Sequence, residues 1–436
     1  MSINMRQFET LHEKFTNWDE VKAQFSSEDC SGLRVVEQDD FAVIRYEKSA
    51  TVDRIYRSVI WDKASNLPVS VAPFRASSGS PPFGSEVMVE EFVDGFMVNV
   101  WVTNGVLRMA TRTRVGGANK FYSSKPFGEL FHECLSTTPL KTVDALQECL
   151  EALRKELNAV TAFASLVLQH PEHRIVSKVN SPCLYVVHTG HVMETGAVTI
   201  SEKAVHWPEA LFNLKVPNYG PRTFQKEEEV EAFLARMSAQ RGWRWQGLVF
   251  KDGTGSRWRV RTPTYTLLRQ LRGVEGSALE RFFRLRTQRK VVEYLRHYGE
   301  ERETFWEFEK KFRALTEGVL SAYTDVHKAH SMTFKELPES VRPAVYLLHM
   351  KWRDELRPKG FSVRLQNAID VVNQLRPFEK KRLMDSVPYV ASTGVSAQVI
   401  EAEELVDAGT VSEAVVDADA VVEADVEAAD VEAADV

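Results

Sequence analysis

The spacing of apolar positions changes character along the chain, and the changes divide it into regions. Between residues 5 and 26, Phe8, Leu11, Phe15, Trp18, Val21 and Phe25 recur near helical spacing, which predicts one or two short helices. From Leu33 to about Phe131 the pattern turns to short β-rich runs at 34–36, 41–46, 58–61, 69–72, 86–91, 96–103 and 106–112, separated by Asp, Asn, Ser and Pro turns. Asn104-Gly105 is a two-residue hairpin turn between the last two runs. An amphipathic helix is expected from Leu140 to about Glu156, and strand-like runs return at 164–168, at 184–187 and from Trp207 onward. A helix over roughly 227–240 precedes a β-hairpin of 245–251 and 256–262. If the loop Asp252–Gly255 pairs Lys251 with Ser256, Gln246 lies opposite Arg261 and Leu248 opposite Arg259, all four on one face. Past Pro263 strand signals almost vanish, and Thr264 to about Arg382 reads as helical, punctuated by Pro338, Pro343 and Pro358.

These patterns predict an α+β protein: a helical segment over 1–30, an antiparallel-sheet domain with flanking helices over 31–262, an all-helical domain over 263–389 and a tail over 390–436. The tail is Ala/Val/Asp/Glu low complexity without aromatic or basic residues, and is expected to be disordered because it cannot bury enough apolar surface. It carries thirteen of the chain's 61 Asp and Glu, leaving 48 against all 55 Lys and Arg. The formal net charge of −6 therefore hides a body at +7, which suits an anionic partner. The tail either competes for that basic body or maintains solubility. Cys30, Cys134, Cys149 and Cys183 show neither zinc-site nor disulfide-framework spacing. No run of eighteen apolar residues and no signal peptide is present, so a soluble, intracellular protein (cytoplasmic or nuclear) without membrane association is expected.

Candidate chemistry centres on the corner Phe92-Val93-Asp94-Gly95, where one strand-like run ends and another begins. In sequence order it stands among four other blocks. Arg57-Ser58-Val59-Ile60-Trp61-Asp62 with Val71-Ala72-Pro73-Phe74-Arg75 precedes it. Leu107–Arg112, Gly116-Gly117 and Phe127–Phe131 follow, then Leu168–Val176, then Gln246-Gly247-Leu248-Val249 with Arg259-Val260-Arg261. Taken together, Arg54 to Tyr265 resembles the ATP-dependent RNA ligase branch of the covalent nucleotidyltransferases, nearest to the phage tRNA-repair type. The resemblance implies a ligase-type nucleotidyltransferase domain. In that family a lysine attacks the α-phosphate of ATP to form a lysyl-adenylate, AMP passes to an RNA 5′-phosphate, and a 3′-hydroxyl displaces it. Carboxylates hold Mg²⁺, and two further lysines stabilise the phosphate charge.

On this resemblance Phe92 occupies the nucleophile position, Gln169 and Gln246 replace acidic residues, and Arg259 and Arg261 replace the paired lysines. Phenylalanine cannot attack phosphorus. Glutamine can hydrogen-bond a ribose or base but brings no charge for Mg²⁺, whereas arginine keeps the phosphate-binding charge. Expected nucleotide-binding residues are Arg57, Asp94, Gly95, Gln169, Gln246, Arg259 and Arg261. Each has an ordinary counterpart as a turn-former, a half-buried polar group or a cationic strand face. Lys120 and Lys125 are weaker phosphate candidates, and His170 and His173 are expected to be structural or superficial. Trp243 and Trp245 beside Arg241 and Arg244 either stack a base or form a half-buried strand. The helical region offers Arg281, Arg284, Arg286, Arg289, Lys290 and Arg296 as an RNA-backbone surface, or as a plain solvated face. Three functions are open: a degenerate ligase homologue binding nucleotide or RNA ends, with ATP as its ligand and little call for Mg²⁺; an active RNA ligase using a different lysine; and a non-enzymatic interaction protein on a ligase scaffold.

Overall fold

The computed structural model describes residues 2–46, 54–202 and 207–385. They form two compact units, divided between Gly276 and Ser277. The acidic tail expected beyond residue 390 lies outside the described residues.

The first unit begins with β1 (Ser2–Met5), α1 (Gln7–Lys14), α2 (Trp18–Phe25), β2 (Leu33–Gln38), β3 (Phe41–Tyr46), β4 (Val59–Asp62), β5 (Leu67–Val71) and β6 (Ser77–Ser78). It continues through β7 (Glu86–Glu91), β8 (Phe96–Thr103), β9 (Val106–Thr111), α3 (Phe127–Ser136), α4 (Val143–Glu156), β10 (Thr161–Gln169), β11 (Cys183–Val192) and β12 (Val198–Ser201). It closes with α5 (Glu209–Phe212), β13 (Asn218–Thr223), α6 (Glu227–Arg241), β14 (Gly247–Lys251), β15 (Arg257–Arg261) and α7 (Pro263–Arg272). Three sheets result: β1-β12-β11-β10-β8-β9, β13-β7-β14-β15-β6 and β2-β3-β4-β5. All pairings are antiparallel except the short β15–β6 contact.

The sheets owe their positions to which face each strand can bury. On β8, Val98, Val100 and Val102 pack beneath Leu130, Phe131, Leu146 and Leu150 of α3 and α4. On the opposite face Trp101 enters a second core with Phe41, Trp61 and Phe163. A strand buried on both faces needs this near-continuous apolar run, and each such side chain contributes roughly 1.5–3 kcal/mol. α6 covers the second large sheet, placing Val230, Phe233 and Leu234 against Val87, Val89, Leu248 and Phe250. Asn104 and Gly105 take φ of 51° and 73°, as the predicted two-residue hairpin turn requires.

Several boundaries differ from the sequence expectation. The N-terminal helical segment is no separate piece, because β1 adds to the six-stranded sheet through β12 and Phe8, Val21 and Phe25 complete a core with Trp61. The run from Trp207 is first a short helix, α5, and becomes strand only at β13. The first unit extends past residue 262 to Gly276, because α7 buries Tyr265, Leu268 and Leu271. The hairpin register is also one residue off: Lys251 pairs with Arg257, Val249 with Arg259 and Gly247 with Arg261. Asp252 explains this, since its Oδ1 accepts from the amides of Thr254 (2.8 Å) and Ser256 (2.9 Å), widening the loop to five residues. Leu248 and Val260 consequently face the core, while Val249, Arg259 and Arg261 share the other face.

The second unit, from Ser277, is helical: α8 (Ala278–Thr287), α9 (Val291–His297), α10 (Arg302–His327), α11 (Arg342–Lys351), α12 (Leu365–Gln374) and α13 (Pro377–Met384). An aromatic core holds it, with Phe282 edge-on to Phe305 at 5.6 Å and Tyr294 stacked on Tyr298 at 4.5 Å. Among the described residues no helix is long and apolar enough to cross a membrane.

Candidate functional site

The chain leaves the second sheet at Glu91 and enters the first at Phe96, so the corner Phe92–Gly95 links the two. Phe92 N donates to the Gly247 carbonyl at 2.9 Å, which ties the corner to the start of β14. Gly95 is required there by close approach, since a Cβ would lie 2.2 Å from the Leu168 carbonyl oxygen. Gly247 has φ +144° and a similar constraint, with its Cβ position 2.0 Å from the Val260 oxygen. Between them sits Asp94, 7% exposed. Its Oδ2 accepts from Val176 N (3.0 Å) and Ser177 N (2.7 Å), and its Oδ1 accepts from the Tyr265 hydroxyl. Burial, followed by the Asp94 charge, raises the Tyr265 pKa well above its ordinary value, so Tyr265 remains the donor. Gln169 Nε2 donates to the Asp94 carbonyl at 2.9 Å. Asp94 and Gln169, expected to contact nucleotide, therefore bond within the protein and hold the corner in shape.

A cleft opens beside this corner. Its lining includes Arg57, Arg75, Arg112, Arg257, Arg259 and Arg269, the residues Phe92, Val93 and Gly95, and two carboxylate residues, Glu90 and Glu91. Of the expected nucleotide-binding residues, Arg57, Gly95 and Arg259 line it, and Arg261 lies just behind Phe92 with its guanidinium 5.2 Å from the ring centroid. The Gln246 amide satisfies both its neighbours when its oxygen accepts from Arg261 Nε (3.1 Å) and its nitrogen donates to the Val93 carbonyl (3.3 Å). Gln246 thus braces Arg261 where the resemblance would place an acid. Arg75 stacks on Tyr46 with its guanidinium 4.7 Å from the ring centre.

Both carboxylates are engaged by cations. Glu90 lies 2.7 Å from Lys251 Nζ, an ion pair rather than an aligned hydrogen bond, and the Lys251 side chain is only 2% exposed. Lys251 is also 3.6 Å from Glu202, which pairs in turn with Arg257 at 3.1 Å. Glu91 pairs with Arg241 at 2.9 Å and accepts from the Tyr219 hydroxyl at 3.1 Å. No lysine is among the described residues lining the cleft. Lys125 salt-bridges Glu133 and Glu172 at 2.7 Å each, which raises its pKa, and Lys120 is exposed.

The other end of the cleft is aromatic. Phe96, Phe127 and Tyr122 surround His173 with centroid distances of 4.6, 5.6 and 5.8 Å. His173 is neither superficial nor hydrogen-bonded: both ring nitrogens are buried without a partner. Burial, with Arg272 and Arg269 adding repulsion, pushes its pKa down to about 3. Tyr122 adopts φ +57°, a left-handed conformation costly for an aromatic residue, and is clamped by Arg269 Nη1 at 2.7 Å and by donation to the Gly273 carbonyl. Neither composition nor periodicity singled out Tyr122, Tyr265 or Arg269, and of the two places expected for His173, structural or superficial, it takes the first. Only the alternation Arg257, Arg259, Arg261 offered a period-two signal for a cationic strand face.

Other candidates resolve differently. Glu133, His170 and Glu172 place metal-type ligand atoms together. Yet Lys125 already bridges the two carboxylates, and His170 bonds Glu133 (2.7 Å) through Nε2 and Glu172 N (3.1 Å) through Nδ1. Trp245 is a core residue, whereas Trp243 is exposed beneath the Arg244 guanidinium at 4.3 Å. The expected basic surface of the second unit is incomplete. Arg281 is 2% exposed, with Nη1 2.9 Å from both Glu301 oxygens, and Arg286 pairs with Glu309 at 3.0 Å and stacks on Phe312. These arginines sit on the inward face of α8, where the core demands a counter-ion for each. Arg284 is half-buried and donates to Gln288 at 3.2 Å, and Arg289, Lys290 and Arg296 are exposed.

Mg²⁺, implied by the family resemblance, does not suit this donor set. Gln169 and Gln246, where the resemblance expects acids, are amides, Asp94 binds backbone and Tyr265, and Glu90 and Glu91 already neutralise cations.

No family model matches the sequence, and no curated protein does either. Solved structures to which the chain is similar include ATP-dependent DNA and RNA ligases. An archaeal ATP-dependent RNA ligase is 14% identical, with 89% of this chain and 99% of that one covered and a TM-score of 0.38. An Aquifex aeolicus protein provisionally named an ATP-dependent DNA ligase is also 14% identical, covering 87% of this chain and 100% of its own, at 0.38. A variant of Naegleria gruberi RNA ligase with ATP and Mn is 13% identical at a TM-score of 0.29, and the chain spans about half its length (51%), using 42% of its own. At such scores the likeness says nothing about what this chain does.

Proposed function

We propose that this chain is an RNA-ligase-like protein that binds nucleotide or RNA ends in the arginine-lined cleft without forming a lysyl-adenylate. The observation that carries the reading is the Phe92–Arg261 pair. An apolar ring stands where the resemblance calls for an amine, with a guanidinium 5.2 Å from its centre. An arginine stays protonated at any physiological pH and cannot replace the missing nucleophile, but it binds phosphate bidentately. The cleft beside this pair combines its lining arginines with an aromatic end of a kind that accepts a base by stacking. The alternative of an active ligase using another lysine lacks support among the described residues of the cleft: Lys251, adjacent in the sheet, is buried against Glu90.

Incubation with α-labelled ATP and Mg²⁺, followed by denaturing electrophoresis, tests the reading. No labelled protein is expected, while filter binding retains ATP or 5′-phosphorylated RNA in a salt-dependent manner. A denaturation-resistant, acid-labile adduct would refute the absence of adenylation. Failure to retain either ligand would refute nucleotide and RNA-end binding.

A further inference from the structure

We infer that the cleft holds the phosphates of its ligand directly on arginine side chains, with no bridging divalent cation, and therefore prefers the metal-free form of a nucleoside 5′-phosphate. This rests on the reading of the cleft as a nucleotide site and goes beyond it.

Among the described residues, the carboxylates at the cleft and its corner are already committed to partners. A hard divalent cation needs oxygen ligands, with carboxylates supplying most of the charge. Glu90 and Glu91 are the only acidic residues among the described cleft lining. The charge of Glu90 is taken up by the Lys251 ammonium, 2% exposed and 2.7 Å from its Oε2. Glu91 Oε2 already holds both the Arg241 guanidinium and the Tyr219 hydroxyl, so its charge is neutralised by an arginine. Asp94 already accepts from two backbone amides and the buried Tyr265 hydroxyl. A divalent cation at any of these groups would compete with a cation or a buried donor already in place.

The phosphate-facing chemistry points the same way. Arg57, Arg75, Arg112, Arg257, Arg259 and Arg269 line one continuous cleft. Arg259 projects from the same face of β15 as Arg261, whose orientation is set by the Gln246 oxygen at 3.1 Å. Guanidinium groups neutralise phosphate oxygens bidentately and need no metal intermediary. A bound Mg²⁺ would occupy those same oxygens and bring positive charge among arginines, so it competes with the site instead of completing it. The binding step is purely non-covalent, with no bond broken and no proton transferred.

The experiment measures ATP, AMP and a 5′-phosphorylated RNA oligonucleotide binding to the full chain by calorimetry, in EDTA and in Mg²⁺ at matched ionic strength. ATP is expected to bind in EDTA and to weaken several-fold when Mg²⁺ is added. AMP and the RNA end, which chelate Mg²⁺ weakly, are expected to change little, and their arms distinguish a free nucleotide from a nucleic-acid source. Arg259→Ala should lower the EDTA affinity by roughly 10- to 100-fold, the loss of one charge-assisted bidentate contact, with Arg259→Lys intermediate and an unchanged melting temperature for both. Binding that requires Mg²⁺, or that it strengthens, overturns this inference while leaving the nucleotide site standing. Binding of none of the three ligands in either buffer overturns both.

Discussion

Asp94→Ala probes the corner on which the cleft depends. The substitution leaves Val176 N, Ser177 N and the Tyr265 hydroxyl facing an apolar methyl in a region where Asp94 itself is 7% exposed. A buried donor stripped of its partner costs about 1–3 kcal/mol, and three such donors, less the relief of no longer burying a carboxylate, come to about 3–5 kcal/mol. That is a large part of a typical domain's stability of roughly 5–15 kcal/mol. Asp94→Asn keeps one acceptor oxygen, and the Tyr265 hydroxyl can rotate to accept from the new amide, so about 1–2 kcal/mol is expected. Urea unfolding followed by tryptophan fluorescence reads the effect on the correct unit, because Trp18, Trp61, Trp101, Trp207, Trp243, Trp245 and Trp258 are seven of the nine tryptophans. The midpoint should fall with an unchanged slope. If Asp94→Ala costs less than about 1 kcal/mol yet abolishes nucleotide binding, Asp94 is a ligand contact and the structural role argued for it is wrong.

Three other outcomes are expected. His173 has a folded pKa of about 3 against 6.5 for the ordinary group, so the two states bind protons alike above pH 6.5; as pH falls from there toward 3 only the unfolded state gains the proton, and stability drops by at most about 4–5 kcal/mol. His173→Phe should flatten that part of the stability–pH curve, and an unaltered slope would show that the ring is not buried neutral. Lys251→Met strands Glu90 and should cost about 3 kcal/mol, with Glu90→Gln restoring part of it in the double variant; additive losses in that cycle would rule out the pair. In the second unit Arg281→Met should destabilise by about 3 kcal/mol, whereas Arg289→Ala should stay within about 0.5 kcal/mol; RNA affinity tracking Arg281 rather than Arg289, with stability unchanged, would restore Arg281 to a binding surface.

Much of the architecture was legible in the chain because local periodicity carries it. The short β-rich runs of β3, β8 and β14, the Asn104-Gly105 turn and the helical spacing of α4 and α6 depend on residues close in sequence. The limits of this legibility appear wherever a distant partner decides the outcome. The residues of α7 read as the start of the helical domain by pattern, yet Tyr265 reaches Asp94, 171 positions earlier, and binds the helix to the first unit. The hairpin slipped by one residue because the Asp252 side chain, not the count of turn-like residues, set the loop. Arg281 and Arg286 looked like surface charge because helix composition does not reveal which stripe meets a half-buried glutamate.

The sequence by itself determined which side chains stand at the positions the resemblance aligns with a ligase site: phenylalanine at 92, glutamine at 169 and 246, arginine at 259 and 261. No fold can give those side chains chemistry they lack. Only the tertiary structure decided what surrounds them, since Asp94, Glu90 and Glu91 acquire their partners from segments far away in the chain. Whether a carboxylate is available to a metal depends on its nearest cation in space, and hydrophobic periodicity does not encode that neighbour.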